Sequence, residues 1–394
     1  MARDEDAGFE VDAARFKRFS QRDSIFCRSF WDRDVRSEKS RVFYETYRKP
    51  LKHFRQVDGF TQKDYAIRNA SWYVSDIFGE RFLAEDRREG FLDAFTVQRA
   101  AADEKKDVAS GTEMAVEIKR VAKALGADLV GITAYDERWV YSHNYSAQTQ
   151  NEKPNEIPEG LDNVIVIATN MDYDLIQTVP SALSGTATGL GYGRDTIALL
   201  SIGQYIRNLG YRAVESLNDT ALAVPYAIQA GLGEYGRHGL LITKEFGPRV
   251  RLGKIFTDLP LSHDQPTSFG VKEFCNVCQR CSDACPAKAI PHDAPSDRVH
   301  NRSNFVGITK WTVDAEKCFG FWVGQNSDCS ICIRVCPYNK DFSKWWARLG
   351  RWLAGTRLRS WMVSLDVWLG FGARRASSWW WASGSAALKR HVRR

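Results

Sequence analysis

The sequence predicts a mixed α/β protein. A core of short strands alternating with helices is followed by a compact cysteine-rich unit, and the two lie between a helical N-terminal region and a basic, tryptophan-rich tail. Three observations predict this. Between residues 112 and 257, β-rich runs such as 128-DLVGIT-133 and 163-NVIVIA-168 are separated by segments of helical periodicity. Eight of the nine cysteines fall within residues 275–336, in two runs that each close with Cys-Pro. Residues 341–394 hold eleven Lys and Arg against two Asp, so they carry +9 of a chain whose total is +7.

The chain of 394 residues is long enough for two or three packed units. Its hydrophobic share of 44% and charged share of 26% suit a globular protein. No run of about 18 apolar residues predicts a transmembrane helix. Outside the tail the net charge is close to zero, which argues against a nucleic-acid partner, since such proteins spread basic residues over the core surface.

Four stretches follow from a pass along the chain: a helical region over 1–110, an α/β core over 111–265, the cysteine unit over 266–340 and the tail over 341–394. In the first, 61-TQKDYAIRNASWYVSDIF-78 reads as a helix with Tyr65, Ala66, Asn69, Trp72 and Tyr73 along one stripe. In the core, Met114, Val116, Ile118, Val121, Ala122 and Leu125 mark a helix stopped at Gly126. A polar loop with Pro154 and Pro158 separates the first two strands. A second helix is expected over 194–209, ending at Gly210. Then come 211-YRAVES-216, an Ala-rich helix over 221–230, a Gly-rich turn, 239-GLLIT-243 and 249-RVRLGKIFT-257.

The cysteines carry the sharpest local signal. The first run is Cys275-x2-Cys278-x2-Cys281-x3-Cys285-Pro286. The second is Cys318, then Cys329-x2-Cys332-x3-Cys336-Pro337. Disulfides do not explain two matching runs that each close with Cys-Pro, and zinc sites pair two short hooks across a longer gap. Three cysteines at successive x2 spacing suit three corners of an iron–sulfur cubane. The first run has the bacterial ferredoxin spacing, in which the fourth Cys serves the other cluster. By that rule Cys275, Cys278, Cys281 and Cys336 hold one [4Fe–4S] cluster, and Cys285, Cys318, Cys329 and Cys332 the other. Cys318 lies eleven residues ahead of Cys329, so a loop is expected to carry it back. Cys27 reads as a buried structural thiol.

The core holds two glycine-rich pieces, 185-GTATGLGYG-193 and 231-GLGEYGRHG-239. The second contains Gly-x-Gly-x-x-Gly, but it follows a helix and precedes a strand, the reverse of a nicotinamide-binding turn. Such glycines serve either close backbone approach to a large flat ligand or tight turns.

The segments 203-GQYIRNLGYRAVESLNDTALAVPYAIQAGLGEYGRHGLLITKEFGPRVRLGKIFTDLPL-261 and 269-FGVKEFCNVCQRCSDACPAKAI-290, with the second cysteine run, resemble the reductive dehalogenases. The segment 59-GFTQKDYAIRNASWYV-74 is similar to that family's respiratory members. The resemblance implies a nitroreductase-like core that binds a base-off, cobalamin-type corrinoid. It implies that electrons pass through two [4Fe–4S] clusters to form Co(I), and that halogen on an organohalide is replaced by hydrogen. It further implies that Tyr192 is the proton donor, Arg251 the cation that stabilises the tyrosinate, and Asn218 a polar residue of the same pocket. Gly191, Gly233 and Gly236 are then expected at the cofactor, with Thr188 and Trp322 lining the pocket. The electron donor would be a protein or a quinol-linked reductase.

Two features depart from the family. Its respiratory members carry a twin-arginine leader, whereas Arg15-Phe16-Lys17-Arg18-Phe19 is too polar to serve as one. The expectation is a cytoplasmic enzyme, or one on the exported periplasmic face if a leader precedes this sequence. In the tail, Trp345, Leu349 and Trp352, then Leu358, Trp361, Met362, Leu365 and Trp368, fall at helical spacing among basic residues, and Trp379-Trp380-Trp381 follow. This pattern fits peripheral membrane contact, or packing on the body with solvated arginines. Two other functions compete. An epoxyqueuosine reductase shares the core and cluster pattern but acts on transfer RNA with an acidic proton donor. A plain ferredoxin-type carrier would leave some 260 upstream residues without a role.

Overall fold

The computed structural model describes residues 9–48, 55, 57–78, 99–147 and 149–383. The charged start of the chain, Met1 to Asp6, and the last four basic residues of the tail lie outside the described residues. After a two-residue strand, β1 (Glu10–Val11), the N-terminal region forms α1 (Ile25–Trp31), α2 (Glu38–Arg48) and α3 (Gln62–Phe78). The inward stripe of α3 differs from the expected one. Tyr65 and Trp72 are buried, but Ala66 and Tyr73 face solvent and Arg68 lies inside. Arg68 tolerates burial because its guanidinium donates to the Thr46 carbonyl at 2.8 Å and the Asn326 carbonyl at 3.0 Å, and stacks 3.8 Å over the Tyr47 ring. Apolar periodicity is blind to such a residue.

The core opens with α4 (Gly111–Ala124), capped by Ser110, whose Oγ accepts from the Glu113 amide at 3.3 Å. Gly126, at φ +113°, ends it as expected. There follow β2 (Leu129–Ala134), β3 (His143–Tyr145), β4 (Glu152–Pro154), β5 (Asn163–Asn170), α5 (Tyr173–Gln177), α6 (Gly185–Asn208), β6 (Ala213–Ser216), α7 (Ala223–Gln229), β7 (Glu234–Tyr235), β8 (Leu241–Ile242) and β9 (Val250–Thr257). The stretch expected as a polar loop thus contains the antiparallel hairpin β3–β4. The central sheet runs β2-β5-β9-β6 and is antiparallel throughout. On β5, Val164 and Val166 pack with α7 on one face, while Ile165 and Ile167 meet α4 and α6 on the other. Cover on both faces explains its unbroken apolar run.

The expected start of α6 at Arg194 is corrected to Gly185, so the whole 185-GTATGLGYG-193 piece is helical. Glycine disfavours a helix by about 1 kcal/mol relative to alanine, but here it permits close approach. A Cβ at Gly189 would lie 2.2 Å from Ser71 Oγ and 2.6 Å from Trp72 Cδ1 on α3, and one at Gly191 would lie 2.5 Å from Arg251 Cγ. Gly189→Ala is therefore expected to lower the thermal midpoint through about 1–3 kcal/mol of overpacking. An unchanged or raised midpoint would show that α3 yields without strain.

The cysteine unit comprises α8 (Val271–Val277), α9 (Arg280–Asp283), β10 (Ile308–Thr309), α10 (Ala315–Gln325) and α11 (Ile331–Val335). β10 pairs with β1 and so fastens the start of the chain to this unit. One apolar cluster joins Val164 and Phe256 of the sheet to Phe274, Cys275, Cys336 and Tyr338. The tail forms α12 (Trp345–Ala354) and α13 (Arg359–Trp368). Trp380 and Trp381 pack on the body, with Trp381 Nε1 donating to Asp64 Oδ1 at 2.9 Å, whereas Trp345, Trp352, Trp361 and Trp368 face solvent. Among the described residues, no helix is long and apolar enough to cross a membrane.

Candidate active site

A cavity of about 290 Å³ opens where α6, β9 and the N-terminal helices meet. Phe26, Phe43, Tyr44, Tyr47 and Trp72 form one wall. Thr188 and Tyr192 come from α6, Arg251 from β9, and Trp322 and Asp328 from the cysteine unit. A second cavity of about 270 Å³ adjoins it, and both are lined by Phe26, Asn218, Ala223 and Val224. Both have mainly apolar walls and few polar groups, the usual composition of a small-molecule site.

The polar groups converge on Tyr192, which is 5% exposed. Asn218 Nδ2 donates to its hydroxyl oxygen at 2.5 Å, and Arg251 Nη1 reaches the same oxygen at 3.5 Å. The Trp72 ring lies 5.0 Å from the Tyr192 ring on its other side. Burial pushes the Tyr192 phenol above its ordinary range, and the Arg251 charge and Asn218 amide oppose that rise. The phenol is thus protonated at neutral pH, beside two donors that favour its anion.

Local structure fixes each partner. Arg251 lies opposite Thr169 in the β5–β9 register and crosses α6 where Gly191 leaves room. The turn carrying Asn218 is pinned by the Leu217 amide donating to Asp219 Oδ1 at 2.8 Å and by Tyr141 OH donating to the Asn218 carbonyl at 3.2 Å. Two fully buried ionisable groups, Asp195 and Lys254, lie in the same region. Burial pushes Asp195 up to about 7, although Thr169 Oγ1 donates to it at 2.6 Å. Burial brings Lys254 down to about 8, and its ammonium donates to the Leu217 carbonyl.

Four of the eight clustered cysteines, Cys275, Cys278, Cys281 and Cys336, share one small cavity of about 10 Å³. Burial pushes the Cys332 thiol far up, reinforced by Cys329, Cys318, Cys281 and Cys285, so the second set adjoins the first. Burial likewise takes Cys281, Cys318 and Cys329 to about 12. Sets of buried sulfurs that repel one another as thiolates call for a bound cation centre. Among the described residues, no three His, Cys, Asp or Glu side chains close tightly enough for a single metal ion.

Cys318 reaches its set from the helix α10 and not from a loop; α10 ends at Asn326, φ +57°, which turns the chain back toward Cys329. Cys27 is buried as expected. Thr188 and Trp322 line the first cavity, and Thr188 Oγ1 donates to Asp328 Oδ2 at 2.9 Å. Gly233 and Gly236 line neither cavity. A Cβ at either would meet Ile242 of the β7–β8 hairpin, so their close approach is to the chain itself. Gly191 acts through Arg251 in the same way. Sequence reasoning missed the aromatic wall and Asp328. The density of Phe, Tyr and Trp in residues 26–72 and the position of Asp328 directly before Cys329 were the available signals.

A family model described as a reductive dehalogenase subunit matches residues 149–261, and one described as a 4Fe–4S double cluster binding domain matches residues 274–339. The chain is 40% identical over 263 residues to a tetrachloroethene reductive dehalogenase of Desulfitobacterium hafniense, covering 57% of this chain and 47% of the relative. It is 36% identical over 300 residues to a tetrachloroethene reductive dehalogenase of Sulfurospirillum multivorans, covering 68% and 59%. The chain thus spans about half the length of the curated relatives it matches. An epoxyqueuosine reductase of Atelocyanobacterium thalassa is 28% identical over 260 residues, covering 58% of this chain and 80% of the relative. Among solved structures, a catabolic reductive dehalogenase matches with a TM-score of 0.72 at 24% identity, over 91% of this chain and 47% of that one, which speaks to the fold.

Proposed function

Because the chain belongs to the reductive dehalogenase family, we propose that it replaces halogen by hydrogen on a small organohalide bound beside Tyr192. The observation that carries this reading is the buried Tyr192 phenol, held by Asn218 and Arg251 at the wall of an apolar cavity that the cysteine unit borders through Trp322 and Asp328.

The reading includes a cobalamin-type corrinoid in the adjoining cavities, and the chain's residues fit one. At the second cavity, the buried Trp139 Nε1 has no hydrogen-bond partner among the described residues, and Lys310, its ammonium brought down to about 8 by burial, lines the same wall. Trp139 and Lys310, with Ala223 and Val224, would hold the corrinoid. When bound, the corrinoid supplies the low-potential metal chemistry that cleaves the carbon–halogen bond.

The chain supplies the rest. The overall change consumes two electrons and one proton: a C–X bond breaks, a C–H bond forms and halide leaves. Tyr192 Oη holds the proton. Asn218 Nδ2 and Arg251 Nη1 stabilise the tyrosinate left behind more than the phenol, because both donate to its oxygen. The aromatic wall excludes water and selects an apolar substrate. The two cysteine sets hold the clusters that deliver electrons from a donor protein or quinol-linked reductase, and we assign the tail to peripheral membrane contact.

A screen of aliphatic and aromatic halocarbons with the cofactor-loaded chain and reduced viologen tests this. Halide release is expected from at least one class. No halide from any of them, with cofactors in place, would overturn the reading.

A further inference from the structure

The tail helices turn their apolar stripes the wrong way for a packed domain. Trp345, Leu349 and Trp352 of α12 are 69%, 46% and 65% exposed, and Trp361, Leu365 and Trp368 of α13 are 79%, 48% and 80% exposed. In each helix these residues stand at i, i+4 and i+7, so each forms a single face. A surface helix normally sends that face to the core, and here Ala347, Ala354 and Asp366 point inward instead.

The helices are nevertheless firmly seated. Asp366 is buried between Lys340, at 2.8 Å, and Arg280, whose other nitrogen donates to the Phe371 carbonyl at 2.6 Å. Met362 and Val363 join the main apolar cluster, and α13 packs on α8, which carries Cys275. The outward tryptophans therefore belong to a fixed surface. Its charge is one-sided. Lys344, Arg348 and Arg357 are exposed beside the stripes, while residues 341–383 contain two acids, Asp341 and the buried Asp366.

We propose that the outward faces of α12 and α13 lie in the interface of an anionic lipid bilayer, with the Cys275, Cys278, Cys281 and Cys336 set turned toward the membrane. The inference rests on the peripheral membrane contact assigned above. Tryptophan belongs at the boundary between headgroups and acyl chains, and basic residues around an apolar helical face add attraction to anionic lipid. A second copy of the chain fits poorly, because a two-fold contact would press this basic face against itself.

The test is flotation of the cofactor-loaded full chain with vesicles of phosphatidylcholine alone or mixed with phosphatidylglycerol. Binding is expected with the mixed vesicles, should weaken as salt rises, and should fall about tenfold or more in W361S/W368S. Both side chains are outward, so the fold and activity of that variant should be unchanged. Brominated lipid should quench the tryptophan emission of the native chain. Failure to float with mixed vesicles, or undiminished binding by W361S/W368S, would overturn the proposal. So would self-association that the same substitutions abolish, since a second copy would then own the face. None of these readouts involves halide, so this proposal and the dehalogenase reading fail separately.

Discussion

Tyr192→Phe is expected to lower dehalogenation by roughly 10²–10⁴-fold, the usual worth of a positioned general acid, while corrinoid and iron contents stay at native levels. The substitution keeps the ring that packs against Trp72 and removes the hydroxyl that Asn218 and Arg251 engage. Arg251→Leu removes the charge that opposes the burial-driven rise of the Tyr192 phenol, so the proton becomes harder to give up and turnover falls again. The two defects act on one proton transfer, so the double variant should be little worse than Tyr192→Phe alone. Initial rates at matched cofactor loading measure this. Native turnover by Tyr192→Phe would mean that the proton comes from water or another side chain.

Cys278→Ala should have the larger effect on electron delivery. Reconstituted native protein should hold about eight irons, the content of two cubanes, and the variant about four. Cys278 shares the small cavity with Cys275, Cys281 and Cys336, and Cys285, Cys318, Cys329 and Cys332 are the proposed ligands of the other cluster. Loss of one cluster should therefore leave the second chemically intact while viologen-driven turnover collapses. Iron counts and the spectrum of the reduced clusters check this. An unchanged iron content would remove Cys278 from the ligand set.

What the sequence shows and hides here divides by range. Ligand spacing is local and chemically demanding, so the double-cluster unit could be read from the chain alone. β5 was legible for a related reason, since it is covered on both faces and keeps a continuous apolar run, whereas the polar hairpin β3–β4 was not. The start of α6 was not, because its glycines look like a turn until α3 and Arg251 are seen pressed against them. Arg68 was invisible as a core residue because its partners, Thr46 and Asn326, are remote in sequence. Tyr192 could be singled out by family resemblance, but its pairing with Asn218, 26 residues on, and Arg251, 59 residues on, exists only after folding. The aromatic wall is a tertiary object in the same sense: Phe26, Tyr47 and Trp72 come from three helices.

Electrons entering through the cysteine sets are expected to reduce a carbon–halogen bond in the cavity at Tyr192. The most direct test is the stoichiometry of viologen oxidation against halide release for the loaded chain with an active halocarbon. Two one-electron viologen radicals should be oxidised for each halide ion released and each C–H bond formed. Viologen oxidation with no matching halide would show a chain that carries electrons without dehalogenating, and would contradict the account.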